Sequence, residues 1–144
     1  MSAAQLKAIF IKRAHGGVMD STLEAVVDER GIVGNADRGG FRPITLLSIE
    51  RWTELMGEVA ADLEPDRRRA NLVLTGIDLE NSRGRTLAIG DCRLLIGGET
   101  RPCELMEEAA RGLQDAMRVR WGGGAYATVL TPGRLSVGDS VSWV

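Results

Sequence analysis

Eighteen glycines cut this chain into apolar runs too short for long helices, and that punctuation decides its fold class. Residues 6–11, 23–27, 44–47, 71–74, 85–89, 92–96 and 125–130 have the length and the aliphatic or β-branched content of strands. Between them stand Gly16-Gly17, the glycine-rich loop 31–40, Gly90-Asp91, Gly98, Gly122-Gly123-Gly124 and Pro132-Gly133, where the chain turns readily. Residues 135–143 read as two further strand pieces around Gly138-Asp139. The pattern predicts a mainly β fold, a compact mixed-sheet β-barrel with two or more short helices.

Two segments depart from it. Ser48 is placed to cap a helix in which Ile49, Trp52, Leu55, Met56 and Val59 recur at helical spacing, an apolar stripe suited to covering a sheet. Pro65 ends that pattern, and Arg67-Arg68-Arg69 follows as the densest positive run. Residues 104–117 read as a second helical stretch, divided at Gly112, with early glutamates at the positive end of the helix dipole.

With 144 residues the chain fits one domain, 1–144, with a sizeable core. Its formal net charge of -2 lacks the sign that phosphate-backbone binding needs, so no nucleic-acid partner is expected. No apolar run approaches the roughly 20 residues of a membrane span. Met1-Ser2-Ala3-Ala4-Gln5 lacks a basic segment followed by an apolar one, so the expected location is cytoplasmic, with Cys92 and Cys103 as free thiols.

Chemistry concentrates at Cys103, in Gly98-Glu99-Thr100-Arg101-Pro102-Cys103-Glu104-Leu105. A thiol after a proline and at the start of a helix meets backbone N–H groups that favour thiolate, which suits a nucleophile, a sulfur carrier or a soft-metal ligand. The alternative is a buried small hydrophobe, the better reading for Cys92 in the middle of its apolar run. His15 is the sole histidine and the cysteines form no CxxC pair, so a metal site built from side chains alone is poorly supported. The glycine segments lack a P-loop ending, and no serine sits in a nucleophile elbow. What remains is a thiol that folding could place beside arginines, among them Arg38, Arg42, Arg67 to Arg69, Arg101, Arg118 and Arg120, whose guanidinium forks hold oxyanions. Their competing role is to solvate loops and cover apolar surface. Asn71 either orients a ligand or braces a strand start, and Asp37 either holds an arginine or stabilises its loop. Trp121 and Tyr126 either line a pocket or pack in the core.

The order of these features resembles the MOSC domain family, found at the C-terminus of molybdenum-cofactor sulfurases and as small independent proteins. The resemblance rests on Gly31-Ile32-Val33-Gly34-Asn35-Ala36-Asp37, on residues 71–79, on Leu87-Ala88-Ile89-Gly90-Asp91, on Arg101-Pro102-Cys103 and on the closing block 122–139. It implies a β-barrel of the pyruvate-kinase barrel type and a cleft that places Cys103 near an anionic pterin cofactor, molybdopterin or the molybdenum cofactor, or near a sulfurated small molecule. Cys103 takes the central position, as a persulfide carrier in sulfur transfer or as a molybdenum ligand. Asn71, Arg38, Arg69 and Arg101 fall in the implied cofactor-binding set, and Gly34 marks the early glycine corner. A sulfur-donor protein is an implied partner. The chain has Gly34-Asn35 where the family commonly has Gly-Asp, and Ala70-Asn71 where it commonly has Glu before the asparagine. It lacks the aminotransferase-like portion of a complete sulfurase, so no intrinsic pyridoxal-phosphate site is expected. A noncatalytic molybdopterin-binding carrier and a structural or interaction β domain are the alternatives.

Overall fold

A computed structural model describes residues 3–36, 39–40 and 42–144. Strands β1 (Gln5–Lys12), β2 (Met19–Thr22), β3 (Glu24–Asp28), β4 (Gly31–Ile32) and β5 (Ile44–Ser48) lead into helix α1 (Ile49–Glu58). A single 3₁₀ turn, Pro65–Arg68, then precedes β6 (Leu72–Thr75), β7 (Thr86–Ile89) and β8 (Cys92–Glu99). Helices α2 (Glu104–Ala109) and α3 (Leu113–Met117) come before β9 (Ala125–Thr131), β10 (Gly133–Ser136) and β11 (Val141–Trp143).

Eight strands form one sheet in the order β11-β7-β8-β9-β5-β6-β1-β2, and β10-β3-β4 form a second. The large sheet is mixed, because β5 and β6 run parallel and are joined through α1, while its other ladders are antiparallel. The expected barrel does not close. Among the described residues β11 and β2 are both edges of the large sheet. The reason lies in the turn from β10 to β11: this bend and the first residue of β11 meet the start of β1, without a strand ladder between them. The two ends touch through an isolated bridge between Gln5 and Ser140, and Leu6 N–H donates to the Asp139 carbonyl at 2.9 Å. The mainly β class, the mixed sheet and the short helices stand.

Two apolar cores follow from strand alternation. In β5, Ile44 and Leu46 point into the core enclosed by the sheets, together with Leu6, Ile9, Leu72 and Leu94. Leu47 points the other way, into a second core built from Trp52, Leu55 and Met56 of α1, Ala70, Met106 of α2, and Leu113 and Met117 of α3. α1 covers the sheet as its stripe predicts, its N-terminus capped by the Ser48 hydroxyl accepting from Arg51 N–H. Trp52 keeps its indole N–H satisfied by donating to the Leu63 carbonyl at 2.9 Å. Gly112, at φ +86, splits the second helical stretch into α2 and α3. Met106 anchors α2 in this second core, and that fixes the segment just before it, Thr100 to Cys103.

Candidate functional site

Cys103 is exposed, while Cys92 is fully buried. Cys103 is the N-cap residue of α2, in extended conformation, and its sulfur makes no capping hydrogen bond. Its carbonyl accepts from Met106 N–H at 3.0 Å, which closes the first turn and leaves the thiol outside it.

The segment before Cys103 lies flat on the triple glycine. Thr100 N–H donates to the Gly124 carbonyl at 2.8 Å. A Cβ on Gly123 would overlap the Thr100 carbonyl oxygen, and one on Gly124 would overlap that of Leu46. Backbone therefore packs directly on backbone here, which only glycine permits.

Beneath this segment lies Arg68. It is 9% exposed; its Nε donates to the Gly123 carbonyl at 2.9 Å, and its Nη2 reaches the carbonyls of Thr100 and Arg101 at 3.4 and 3.5 Å. Burial lowers its pKa from the ordinary guanidinium value, the negative charge of an ionised Cys103 opposes that shift, and the neighbouring charge of Arg42 adds to it. Among the described residues the other buried arginine, Arg51, is paired with Glu54 and Glu58 at 3.8 and 3.6 Å. Among the described residues no carboxylate lies within ion-pair distance of Arg68. The sequence pattern left Arg68 undistinguished inside its run. What distinguishes it is the 3₁₀ turn Pro65–Arg68, in which Arg68 alone is buried while Arg67 is exposed.

The other expected site residues fall in three places. Arg69 follows the 3₁₀ turn at φ +66, a left-handed conformation uncommon for a non-glycine residue, and its Nη2 is buried with no hydrogen-bond partner among the described residues. It lines a cleft of about 380 Å³ with Gly16, Arg67, Leu105, Met106 and Glu108. Arg101 is exposed and lines a second cleft, of about 410 Å³, with Glu99, Pro102 and Arg118. Cys103 thus sits in the chain between residues lining the first cleft and residues lining the second. A further cleft, at the start of α1, is lined by Ser48, Glu50, Arg51 and Arg120 and holds no cysteine.

Asn71 is buried in a protein network. Its Oδ1 accepts from the backbone N–H and the hydroxyl of Thr45 at 3.1 and 3.3 Å, and its Nδ2 donates to the Phe10 carbonyl and to Asn35 Oδ1, both at 3.1 Å. Asn35 Oδ1 also accepts from Lys12 N–H at 2.8 Å. Asn35, one of the two expected departures from the family pattern, is therefore a partner of Asn71. Ala70, which stands in place of the family's glutamate, is buried in the helical core. Gly34, at φ +91, turns the chain close to the Arg13 guanidinium. Arg38 and Asp37 lie outside the described residues. Tyr126 packs its ring over Gly97, and the Arg42 guanidinium stands 5.7 Å from the ring centroid.

No group of three or more histidine, cysteine, aspartate or glutamate side chains placed to hold a metal ion occurs among the described residues. No helix is long and apolar enough to cross a membrane.

A mixed, incompletely closed sheet with an exposed thiol on a segment fastened by a buried guanidinium defines a β domain with a single-cysteine site. The family model for the MOSC domain matches residues 13–142, and the chain belongs to that family, which is associated with molybdenum-cofactor-related functions. Among solved structures it is similar to the YuaD protein from Bacillus subtilis, with a TM-score of 0.82, 22% identity and coverage of 97% of this chain and 94% of that one. It is also similar to YiiM from Geobacillus stearothermophilus, with a TM-score of 0.77, 16% identity and coverage of 98% and 75%. YiiM from Escherichia coli gives a TM-score of 0.72, 17% identity and coverage of 97% and 69%. These likenesses show the fold. Comparison with curated proteins gave no match.

Proposed function

We propose that Cys103 is the reacting atom of a molybdenum-cofactor-related sulfur carrier or sulfurtransferase domain. The observation that carries this reading is the exposed Cys103 thiol on a segment fastened by a buried arginine that has no carboxylate partner among the described residues. A buried cation without a counter-ion is costly, so such a place favours an anion at the thiol: thiolate, persulfide or an oxyanionic ligand. In the carrier step the Cys103 thiolate attacks the outer sulfur of a donor persulfide. A Cys103 S–S bond forms, the donor S–S bond breaks, and the donor leaves as a thiolate with the electron pair. The donor is a persulfide on a partner protein or on a small molecule.

The residues present also fit an anionic pterin cofactor. Arg69 in one cleft, or Arg101 in the other, would hold an acidic group of it, and Cys103, between the two in the chain, would supply one soft ligand to molybdenum. Bound there, the cofactor would supply oxo-transfer and redox chemistry that this chain's side chains do not have. The Arg69 cleft favours a second reading, a noncatalytic carrier that holds molybdopterin and presents it to a partner without sulfur turnover. In both readings Asn71 and Asn35 act from behind the site, by fixing β1, β5 and β6 against each other. Free-thiol chemistry fits a reducing, cytoplasmic setting.

Anaerobic incubation with a persulfide donor or with a pterin cofactor, followed by intact-mass and binding measurements on the wild type and Cys103→Ser, tests these readings. Sulfur addition lost in the variant supports the carrier step. Cofactor binding retained in the variant without sulfur addition in the wild type supports the noncatalytic reading. Neither sulfur addition nor binding in the wild type contradicts both.

A further inference from the structure

We infer that Arg68 is a positioning residue for Cys103 and that its charge makes the site select anionic sulfur donors over cationic ones. The inference rests on reading Cys103 as the reacting atom.

Arg68 does two things at once. Its Nε and Nη2 tie the 3₁₀ turn to three carbonyls, those of Gly123, Thr100 and Arg101, so that one side chain fastens the cysteine segment to the glycine run. Its second contribution is charge. Carbonyl oxygens solvate a guanidinium without neutralising it, and no carboxylate pairs with Arg68 among the described residues, unlike Arg51. Because Arg68 Nη2 reaches the carbonyls of Thr100 and Arg101, three and two residues before Cys103, its charge is held beside the cysteine segment and acts on a donor that approaches there. The opposing groups are Glu104, directly after Cys103, and Glu99, which shares its cleft with Arg101 and Arg118. Glu107 is already engaged by the backbone N–H groups of Gly112 and Gln114 at 2.8 and 3.3 Å. A buried, rigidly held charge is screened by salt less than these exposed ones, so Arg68 sets the sign that an approaching donor meets.

The test uses the full chain and two methanethiosulfonate reagents of similar size, one carrying a sulfonate and the other a trimethylammonium group. In each case the Cys103 thiolate attacks the sulfenyl sulfur, a mixed disulfide forms, and methanesulfinate leaves with the electron pair. The ratio of the anionic to the cationic rate cancels both the fraction of thiolate and its general accessibility, which a merely structural change would alter equally for both reagents. Arg68→Met should lower this ratio by about fivefold, the effect of removing one nearby unit charge from two oppositely charged encounters. Arg68→Lys should restore most of it. An unchanged ratio in a folded Arg68→Met variant would overturn the inference. Should Arg68→Met fail to fold, the comparison becomes native wild type against wild type unfolded in urea, with labelling read at Cys103 by peptide mapping because Cys92 is also exposed in urea. A ratio several-fold higher in the native protein supports the inference, and equal ratios overturn it. Neither measurement needs a persulfide or a cofactor, so failure of sulfur addition with the charge selectivity intact would overturn the sulfur-carrier reading alone.

Discussion

The carbonyl oxygen of Thr100 occupies the space that a Cβ on Gly123 would need. The Cys103 segment is thereby seated on bare backbone, within reach of the Arg68 guanidinium on the same Gly123 carbonyl. Gly123→Ala has no flexible side chain to push aside and must move the 100–103 backbone. We expect a loss of about 2–4 kcal/mol in urea unfolding, together with altered Cys103 alkylation rates, as the signature of overpacking against a fixed backbone. A stability within error of the wild type would show that this contact is not fixed.

Asn71 is a structural brace whatever else it does. Its carboxamide makes four hydrogen bonds in a buried setting, and Asn71→Ala takes the acceptor from the Thr45 N–H and a donor from the Phe10 carbonyl and from Asn35 Oδ1. The expected cost is about 2–4 kcal/mol in denaturant unfolding, since the groups left behind keep their desolvation penalty. Unfolding at wild-type denaturant concentration would contradict the network.

The thiols should react very differently. Burial, reinforced by the carboxylates of Asp91 and Asp139, pushes the Cys92 thiol up to about 11. At pH 8 the native chain should therefore take up one equivalent of an alkylating reagent, at Cys103, and a second only in denaturant. Peptide mapping that finds Cys92 labelled in the native chain would refute this.

Glu50 should shape the acid limb of stability. Burial pushes its carboxyl up, but the Thr75 hydroxyl, the Gly76 N–H, its own backbone N–H and the Ser48 hydroxyl outweigh that and hold it below its ordinary value of 4.5. A depressed folded-state value favours folding above the unfolded pKa, and this contribution is lost as pH falls through the folded one. Stability should therefore fall below about pH 4.5, and Glu50→Gln should flatten that decline while lowering stability at neutral pH. An acid limb identical in Glu50→Gln would contradict the assignment.

Much of the fold was legible because strand alternation and turn chemistry are local. The runs around Ile9, Leu46, Leu74, Leu94 and Ala127 all became strands, and Ser48 capped the helix that its spacing predicts. Cys103 was legible for the same reason, since a proline, a thiol and a helix start are neighbours in the chain. β2 was not, because its residues Met19-Asp20-Ser21-Thr22 are largely polar and pair only with the edge of β1. Closure was misread because glycine corners show where a chain turns and not whether its last strand reaches its first. Here the ends meet through an isolated bridge between Gln5 and Ser140 and a few backbone hydrogen bonds around it, not through a ladder. The site's guanidinium floor was blurred for a further reason. In Arg67-Arg68-Arg69 the composition is uniform, and only the turn geometry assigns Arg68 to the interior and Arg69 to the neighbouring cleft. Asn71 illustrates a different limit: its partners Phe10, Asn35 and Thr45 are distant in sequence, so bracing and ligand binding leave the same local pattern.

The central claim is that Cys103 is a sulfur-accepting thiolate, and intact-mass analysis after anaerobic incubation with a persulfide donor tests it most directly. The account predicts an added mass of one sulfur atom on the wild-type chain, removed by a reducing thiol and absent from Cys103→Ser. Equal addition to both chains, or none to the wild type, would contradict it.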